Sequence, residues 1–168
     1  LSVQGAIFQM ISHGFSSGAL FIGVGYIYDR YGSRLISDYS GVTKVMPIFA
    51  AFYLLFCMAN VGLPGTSGFV GEAMVVWAAL RANFWIAFLA GLTLLLAPAY
   101  TLWMYKRVFF GTLKEDLKGL KDINKMEILV FSLLALPIVI FGIFPNLILH
   151  LSHATSVQFV HEVMLKGQ

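Results

Sequence analysis

This sequence has too few charged residues to cover a water-soluble domain of its size. Asp, Glu, Lys and Arg make up 11% of its 168 residues, whereas hydrophobic residues make up 59%, and the mean hydropathy is +0.83. Such a composition is typical of a membrane protein. The basic excess, a formal charge of +3, lies mostly between long apolar runs. It therefore indicates membrane topology and does not point to nucleic acid.

Cysteine is nearly absent as well. Cys57 is the single cysteine and lies in an apolar run, which excludes an internal disulfide and a zinc or iron–sulfur site with several cysteine ligands. There is no glycine loop for a nucleotide phosphate, because the "GVG" at residues 23–25 lies inside an apolar helix. The first ten residues, "LSVQGAIFQM", have neither the basic region nor the cleavage site of a signal peptide. We interpret the chain as a fragment of a longer protein.

Long apolar regions predict the fold. A hydrocarbon core of about 30 Å takes about 20 helical residues to cross, and the apolar regions cover approximately residues 3–28, 45–80, 84–105 and 128–149. The predicted fold is an all-α, polytopic transmembrane helix bundle of about four spans, the second one discontinuous, and residues 1–168 are predicted to be the C-terminal fragment of one transmembrane domain. The residues after 149 predict a polar tail whose histidines, His150, His153 and His161, lie at the membrane interface.

The region 45–80 could cross the membrane once or twice. With one crossing, nine basic residues, including all six of the segment 106–125, lie on one face, and only Arg81 and Lys166 lie opposite. With two crossings the count becomes six against five. Basic residues concentrate on the cytoplasmic face of membrane proteins, so the sequence favours one crossing with the segment 106–127 cytoplasmic.

One crossing of 36 residues would be about 54 Å long as a straight helix, which is far longer than the core. The sequence therefore predicts an interruption at residues 61–68. Pro64 removes a backbone donor, and Gly62, Gly65 and Gly68 allow non-helical backbone. Thr66 and Ser67 could cap a helix that restarts near residue 69. Such discontinuous helices occur in transporters, where the break is buried in protein or lines a hydrated cavity.

Glu72 follows this break by a few residues. It precedes Arg81 by nine residues, about 14 Å of helix, which places it near the membrane midplane. A carboxyl group there is costly to ionise, and intramembrane acids commonly serve in proton transfer. The sequence therefore predicts a proton carrier. The alternative is a neutral, hydrogen-bonded glutamic acid that fastens two helices together.

His13 is also deep inside an apolar region, and small residues flank it in "SHGFSSG". An imidazole can pass a proton between its two nitrogens, or it can simply donate one hydrogen bond between helices; its position leaves both open. A haem held by two histidines is disfavoured, because His13 differs in depth from His150 and His153 by about half a bilayer.

The charged segment 114–125 also allows two interpretations. Leu113, Leu117, Leu120 and Ile123 recur at helical spacing between charges of alternating sign. This pattern fits an amphipathic helix on the basic face. It fits an ordinary solvated loop equally well.

Two stretches carry a resemblance to a known family. "GAIFQMISHGFSSGALFIGVGYIYDR" and "LPGTSGFVGEAMVVWAAL" resemble the antiporter-like membrane subunits of respiratory NADH:quinone oxidoreductase (complex I), and the M-type subunit above all. The resemblance covers nearly the whole chain, with the polar tail weakest, and corresponds to the last four of about fourteen helices. Multisubunit cation/proton antiporters and membrane-bound hydrogenases have similar subunits, and these remain alternatives.

The resemblance implies a proton path of buried charged residues along the membrane midplane. Glu72 matches the family's glutamate after the broken helix, and His13 matches the histidine of the preceding helix; together they look like the exit half of the path. It also implies that this chain holds no cofactor or metal, while NADH, flavin, iron–sulfur clusters and quinone belong to partner subunits. The expected partners are other membrane subunits of complex I, the lipid bilayer and protons, with no nucleic acid. The expected location is a bacterial inner membrane, which is favoured over the mitochondrial inner membrane. A non-conducting scaffold is the rival from a different functional class.

Overall fold

A computed structural model describes residues 2–166, with the side chains of residues 2–161. This part of the chain forms six α-helices and three short 3-10 turns, and no β-strand. The helices are α1 (Ser2–Tyr31), α2 (Pro47–Asn60), α3 (Ser67–Ala82), α4 (Phe84–Phe109), α5 (Lys125–Ile143) and α6 (Asn146–Lys166). Three of them, α1, α4 and α5, are long and apolar enough to cross a membrane. The predicted all-α bundle is confirmed.

The helices α2 and α3 lie end to end along α1. They barely touch each other, whereas both pack on α1. Both helices run antiparallel to α1, so that α3 contacts the first half of α1 and α2 contacts the second half. The contacts in order along α1 are Gly5 with Met74, Gln9 with Glu72, Ser12 with Ser67, and Gly23 with Tyr53. In a hairpin of two full spans, α2 and α3 would lie side by side, and their contacts would not follow one another along α1 in this order. The region 45–80 therefore forms two short helices in line, which is the arrangement that the predicted single, interrupted crossing requires.

The end of the chain differs from the prediction of a span at 128–149 followed by a polar tail. Helix α5 ends at Ile143, and α6 begins at Asn146 and runs to Lys166. Pro145 lacks the backbone donor that a continuing helix needs. Helix α6 packs on α1 and buries Ser156, a contact that hydropathy cannot reveal. His150, His153 and His161 are exposed, and the side chains of Glu162 and Lys166 lie outside the described part.

The basic end of the bundle is held together by polar contacts. Arg30, at the end of α1, pairs with Glu127 at the start of α5 at 2.5 Å and donates to the carbonyl of Lys121. The Thr43 hydroxyl donates to the carbonyl of Phe109, at the end of α4. The predicted amphipathic helix over 114–125 does not form, since only Glu115–Leu117 is helical, as a 3-10 turn. Instead the loop is anchored, because Leu117 and Ile123 are buried in the core.

Asp122 supplies the cap that α2 lacks. The residue before α2, Met46, makes no capping hydrogen bond, and the amides of Ile48 and Phe49 donate to the Asp122 carboxylate at 2.8 and 3.1 Å. A carboxylate at a helix N-terminus satisfies unpaired amides and interacts favourably with the helix dipole. This long-range cap joins the loop to the first half of the broken span.

We expect Asp122→Ala to lower the free energy of unfolding by about 1 kcal/mol, the usual value of a helix cap. The measurement is the thermal stability of the purified assembly that contains the full-length subunit. Asp116→Ala is the matched control, because Asp116 has the same charge in the same loop and is exposed without a hydrogen bond to any described residue. Equal stability of the two variants would contradict the capping role.

Candidate proton-transfer site at the helix break

Two turn motifs build the interruption between α2 and α3. At the end of α2 the amide of Leu63 donates to the carbonyl of Met58 and that of Gly62 donates to the carbonyl of Ala59, with Gly62 at φ +72°. This is a Schellman motif, which needs a left-handed residue at the position of Gly62. The predicted interruption is confirmed, and it covers residues 61–66.

A β-turn follows immediately. The amide of Thr66 donates to the carbonyl of Leu63 at 3.0 Å, which places Pro64 and Gly65 at the two central positions. Gly65 has φ +93°, and proline followed by a left-handed glycine is the signature of a type II turn. The two motifs satisfy backbone groups that would otherwise be unpaired at membrane depth.

Gly68, Thr66 and Ser67 act differently from the prediction. Gly68 lies in the first turn of α3 with ordinary helical backbone, and it is needed because a Cβ there would lie 2.3 Å from the carbonyl oxygen of Ala59. Thr66 occupies the position before α3, but its hydroxyl donates to the carbonyl of Leu63 at 2.7 Å and caps no amide of α3. The Ser67 hydroxyl shares a 2.7 Å hydrogen bond with Ser12 of α1.

Glu72 lies one to two turns into α3 and faces α1. Its carboxyl oxygen Oε1 accepts a hydrogen bond of 3.3 Å from Nε2 of Gln9. Its Oε2 lies against Gly62, where a Cβ would approach to 2.2 Å. The carboxyl group is thus held between a neutral amide and the bare backbone of the break.

Glu72 has no cationic partner in the described part of the chain. The ion pairs there are Arg30–Glu127 and Lys118–Glu115, both at the basic end. The opposite side of Glu72 borders a groove between α3 and α4 lined by apolar side chains, among them Phe69, Trp77, Phe88 and Leu94. Leu94 is ten residues into α4, about 15 Å from its start. The groove extends from Phe84, the first residue of α4, to Leu94, and the groups that line it beside Glu72 are apolar.

A row of polar side chains runs along one face of α1, and Gln9 and Ser12 of this row meet α3. On α1 the row contains Gln9, Ser12 and Ser16, spaced by three and four residues and hence on one helix face. Ser12 and Ser16 are buried, and the Ser16 hydroxyl donates to the carbonyl of Ser12 at 3.1 Å. Hydroxyl groups can both donate and accept a hydrogen bond, so the row offers groups that could orient water beside Glu72.

The structure does not bring His13 and Glu72 together. His13 follows Ser12 on α1, but its side chain is exposed on the surface of the described bundle and hydrogen-bonds to none of the residues that the structure describes. On α1, Gln9 is the residue that meets Glu72, and Ser12 meets Ser67. The sequence analysis missed them, although their spacing with Ser16 in an otherwise apolar helix marks one polar face.

Comparison with known sequences gives consistent matches. The sequence profile described as "NADH:quinone oxidoreductase/Mrp antiporter, TM" matches residues 1–97. The chain is 48% identical over 147 residues to NADH-quinone oxidoreductase subunit M of Rhodobacter capsulatus, covering 87% of this chain and 29% of that protein. It is 40% identical over 159 residues to NADH-ubiquinone oxidoreductase chain 4 of Chondrus crispus, covering 94% of this chain and 32% of that protein. The chain thus spans about a third of the length of these relatives.

Solved structures give the same fold. A chain of respiratory complex I from Thermus thermophilus with bound NADH matches with a TM-score of 0.80 at 33% identity, over 88% of this chain and 32% of that chain. A chain of the membrane-bound sulfane sulfur reductase, an archaeal respiratory membrane complex, matches with a TM-score of 0.78 at 26% identity, over 83% of this chain and 23% of that chain.

Proposed function

Since the chain belongs to the NADH:quinone oxidoreductase/Mrp antiporter transmembrane family, we propose that it forms the exit part of the proton path in a membrane subunit of NADH:quinone oxidoreductase. In that role it carries protons and no electrons. NADH, flavin, iron–sulfur clusters and quinone are held by partner subunits. The other membrane subunits of the complex are its protein partners.

The observation that carries this proposal is the environment of Glu72. A carboxyl group lies beside a break in a membrane helix, has no cationic partner among the described residues, and lies at the interface that also holds the Ser12–Ser67 hydroxyl pair. Burial of an unpaired charge is unfavourable, so such a group changes its protonation state readily when its surroundings change. The test is the number of protons pumped per electron transferred by a complex that carries Glu72→Gln.

The second candidate is a proton-conducting subunit of another membrane complex in the same family. The structural similarity to the sulfane sulfur reductase chain favours this second candidate. The sequence identity to that chain is 26%, whereas the identity to the subunit M relative is 48%, so we prefer the first candidate. The presence of a flavin-containing, NADH-oxidising subunit in the purified assembly would distinguish the two. We also propose a bacterial inner membrane as the location; the 48% identity to the subunit M of Rhodobacter capsulatus fits this proposal.

We further propose that the basic end of the bundle faces the cytoplasm. The loops and helix termini at this end carry nine basic residues, and the Arg30–Glu127 and Thr43–Phe109 contacts place their segments at one end. We expect a cysteine at position 118 to be labelled from the cytoplasmic side and a cysteine at position 83 from the opposite side. Both replaced residues, Lys118 and Asn83, are exposed. The measurement is maleimide labelling of oriented vesicles in a Cys57→Ser background, and labelling of both positions from one side would contradict the topology.

A further inference from the structure

The pair formed by Gln9 and Glu72 contains two oxygens that are buried without a partner. Nε2 of Gln9 donates to Oε1 of Glu72, and the remaining oxygens, Gln9 Oε1 and Glu72 Oε2, lack any hydrogen bond within the described residues. Both belong to the same two side chains. Buried polar atoms of folded proteins are nearly always hydrogen-bonded, so this pair of atoms requires an explanation.

An ionised Glu72 would leave both oxygens as acceptors without a donor. Among the described residues, none that faces the carboxyl group is titratable: α1 presents Gln9, the break presents Gly62, and α4 presents Ala87, Phe88 and Leu94. Helix α5 meets the break at Gly142. The nearest titratable side chain along α1, His13, is directed to the exposed surface. A carboxylate here would be an uncompensated charge, which is the most costly of buried groups.

A protonated Glu72 satisfies both oxygens at once. We propose that Glu72 is protonated on Oε2 in this arrangement and that this hydroxyl donates to Oε1 of Gln9, while Nε2 of Gln9 donates to Oε1 of Glu72. A neutral carboxyl group has one donor and one acceptor, and so does the facing edge of a carboxamide. The two side chains then form a closed pair with two hydrogen bonds across the α1–α3 interface.

Gln9 is in this view a positioning residue that holds the loaded form of the proton carrier. For release, the pair opens, the O–H bond of Oε2 breaks, and the proton passes to a water molecule and leaves a carboxylate. This inference rests on the proposed function for its significance. The protonation of Glu72 and its hydrogen bonds with Gln9 can be measured separately, without any assay of pumping.

The experiment is infrared difference spectroscopy of the assembled complex at neutral pH. The spectrum of the Glu72→Gln complex is subtracted from that of the wild type, which isolates the carboxylic acid C=O band of Glu72. We expect this band in the wild type, at the lowered frequency of a hydrogen-bonded acid. In Gln9→Met, which removes the amide at similar side-chain length, we expect the band to shift to higher frequency. In Gln9→Asn, whose amide is one methylene shorter, we expect the same direction of shift.

Two results would overturn the inference. Absence of the acid band in the wild type would show a carboxylate, bridged to Gln9 by water. A band that keeps its frequency in whichever Gln9 variants assemble would show an acid that is not paired with Gln9. Neither result bears on pumping. Conversely, normal pumping by a Glu72→Gln complex would refute the proposed function. It would not affect the inference that the acid of Glu72 pairs with the amide of Gln9.

Discussion

A complex that carries Glu72→Gln should assemble normally and lose most of its redox-linked proton pumping. Glutamine keeps the size of the side chain and can still hydrogen-bond with Gln9, but it cannot release a proton. Groups that transfer a proton typically contribute about 100-fold or more to the rate of the step, so we expect pumping to fall by at least about tenfold. The measurement is protons pumped per electron transferred, in membranes whose subunit content has been verified.

Two further variants separate proton transfer from helix packing. Glu72→Asp retains an acid and should keep part of the pumping, and His13→Ala should do less harm than Glu72→Gln. His13 is exposed on the described bundle, and water can replace an imidazole in a hydrated path. A scaffold predicts the opposite result, in which Glu72→Gln is nearly silent and Glu72→Ala fails to assemble. Normal pumping by an assembled Glu72→Gln complex would refute the assignment of Glu72 as a proton carrier.

Gly62→Ala should also abolish most of the pumping, although it changes a residue that cannot ionise. Gly62 has φ +72°, a conformation that costs a residue with a side chain about 1–2 kcal/mol. In addition, the new Cβ would lie 2.2 Å from Oε2 of Glu72. The flexible end of the glutamate can move away, so the helix break should survive while the carboxyl group leaves its place beside Gln9. The measurements are pumping and the thermal stability of the assembled complex.

Gly65→Ala is the matched control for this prediction. Gly65 also has a positive φ, +93°, but a Cβ there would meet no other group of the described bundle within 4 Å. It should therefore lower the thermal stability by an amount similar to Gly62→Ala and retain pumping. If both variants pump equally poorly, backbone strain alone explains the loss, and the contact between Gly62 and Glu72 has no special role.

Much of this fold can be predicted from the sequence, because it depends on the chemistry of short segments and single residues. The number of crossings follows from the length of the apolar regions and from charge counting, and both are properties of short segments. The place of the break follows from Pro64, Gly62 and Gly65, since a missing donor and left-handed backbone are properties of single residues. Glu72 is identified as the intramembrane acid for the same reason, because its charge and its distance from Arg81 along the chain are both local.

Where the sequence misled, the cause was a contact with a distant segment. Gly68 is required by the approach of the Ala59 carbonyl and not by its own backbone angles. Ser67, which has the residue type of a helix cap, bonds to Ser12 across the interface. The sequence predicts a polar tail where α6 forms, because the packing of α6 on α1 leaves no signal in hydropathy.

The sequence by itself determined that this protein is a helical membrane bundle with one broken span and an acid, Glu72, inside that span. The tertiary structure decided which groups surround that acid. In α1, Gln9, Ser12, His13, Ser16 and Ser17 share one broad polar face, so the sequence does not define which side of that face meets α3. Packing selected the face with Gln9, Ser12 and Ser16 and turned His13 outward. The partner of Glu72 is the amide of Gln9 because the packing of α1 against α3 determines which side chains of α1 face α3.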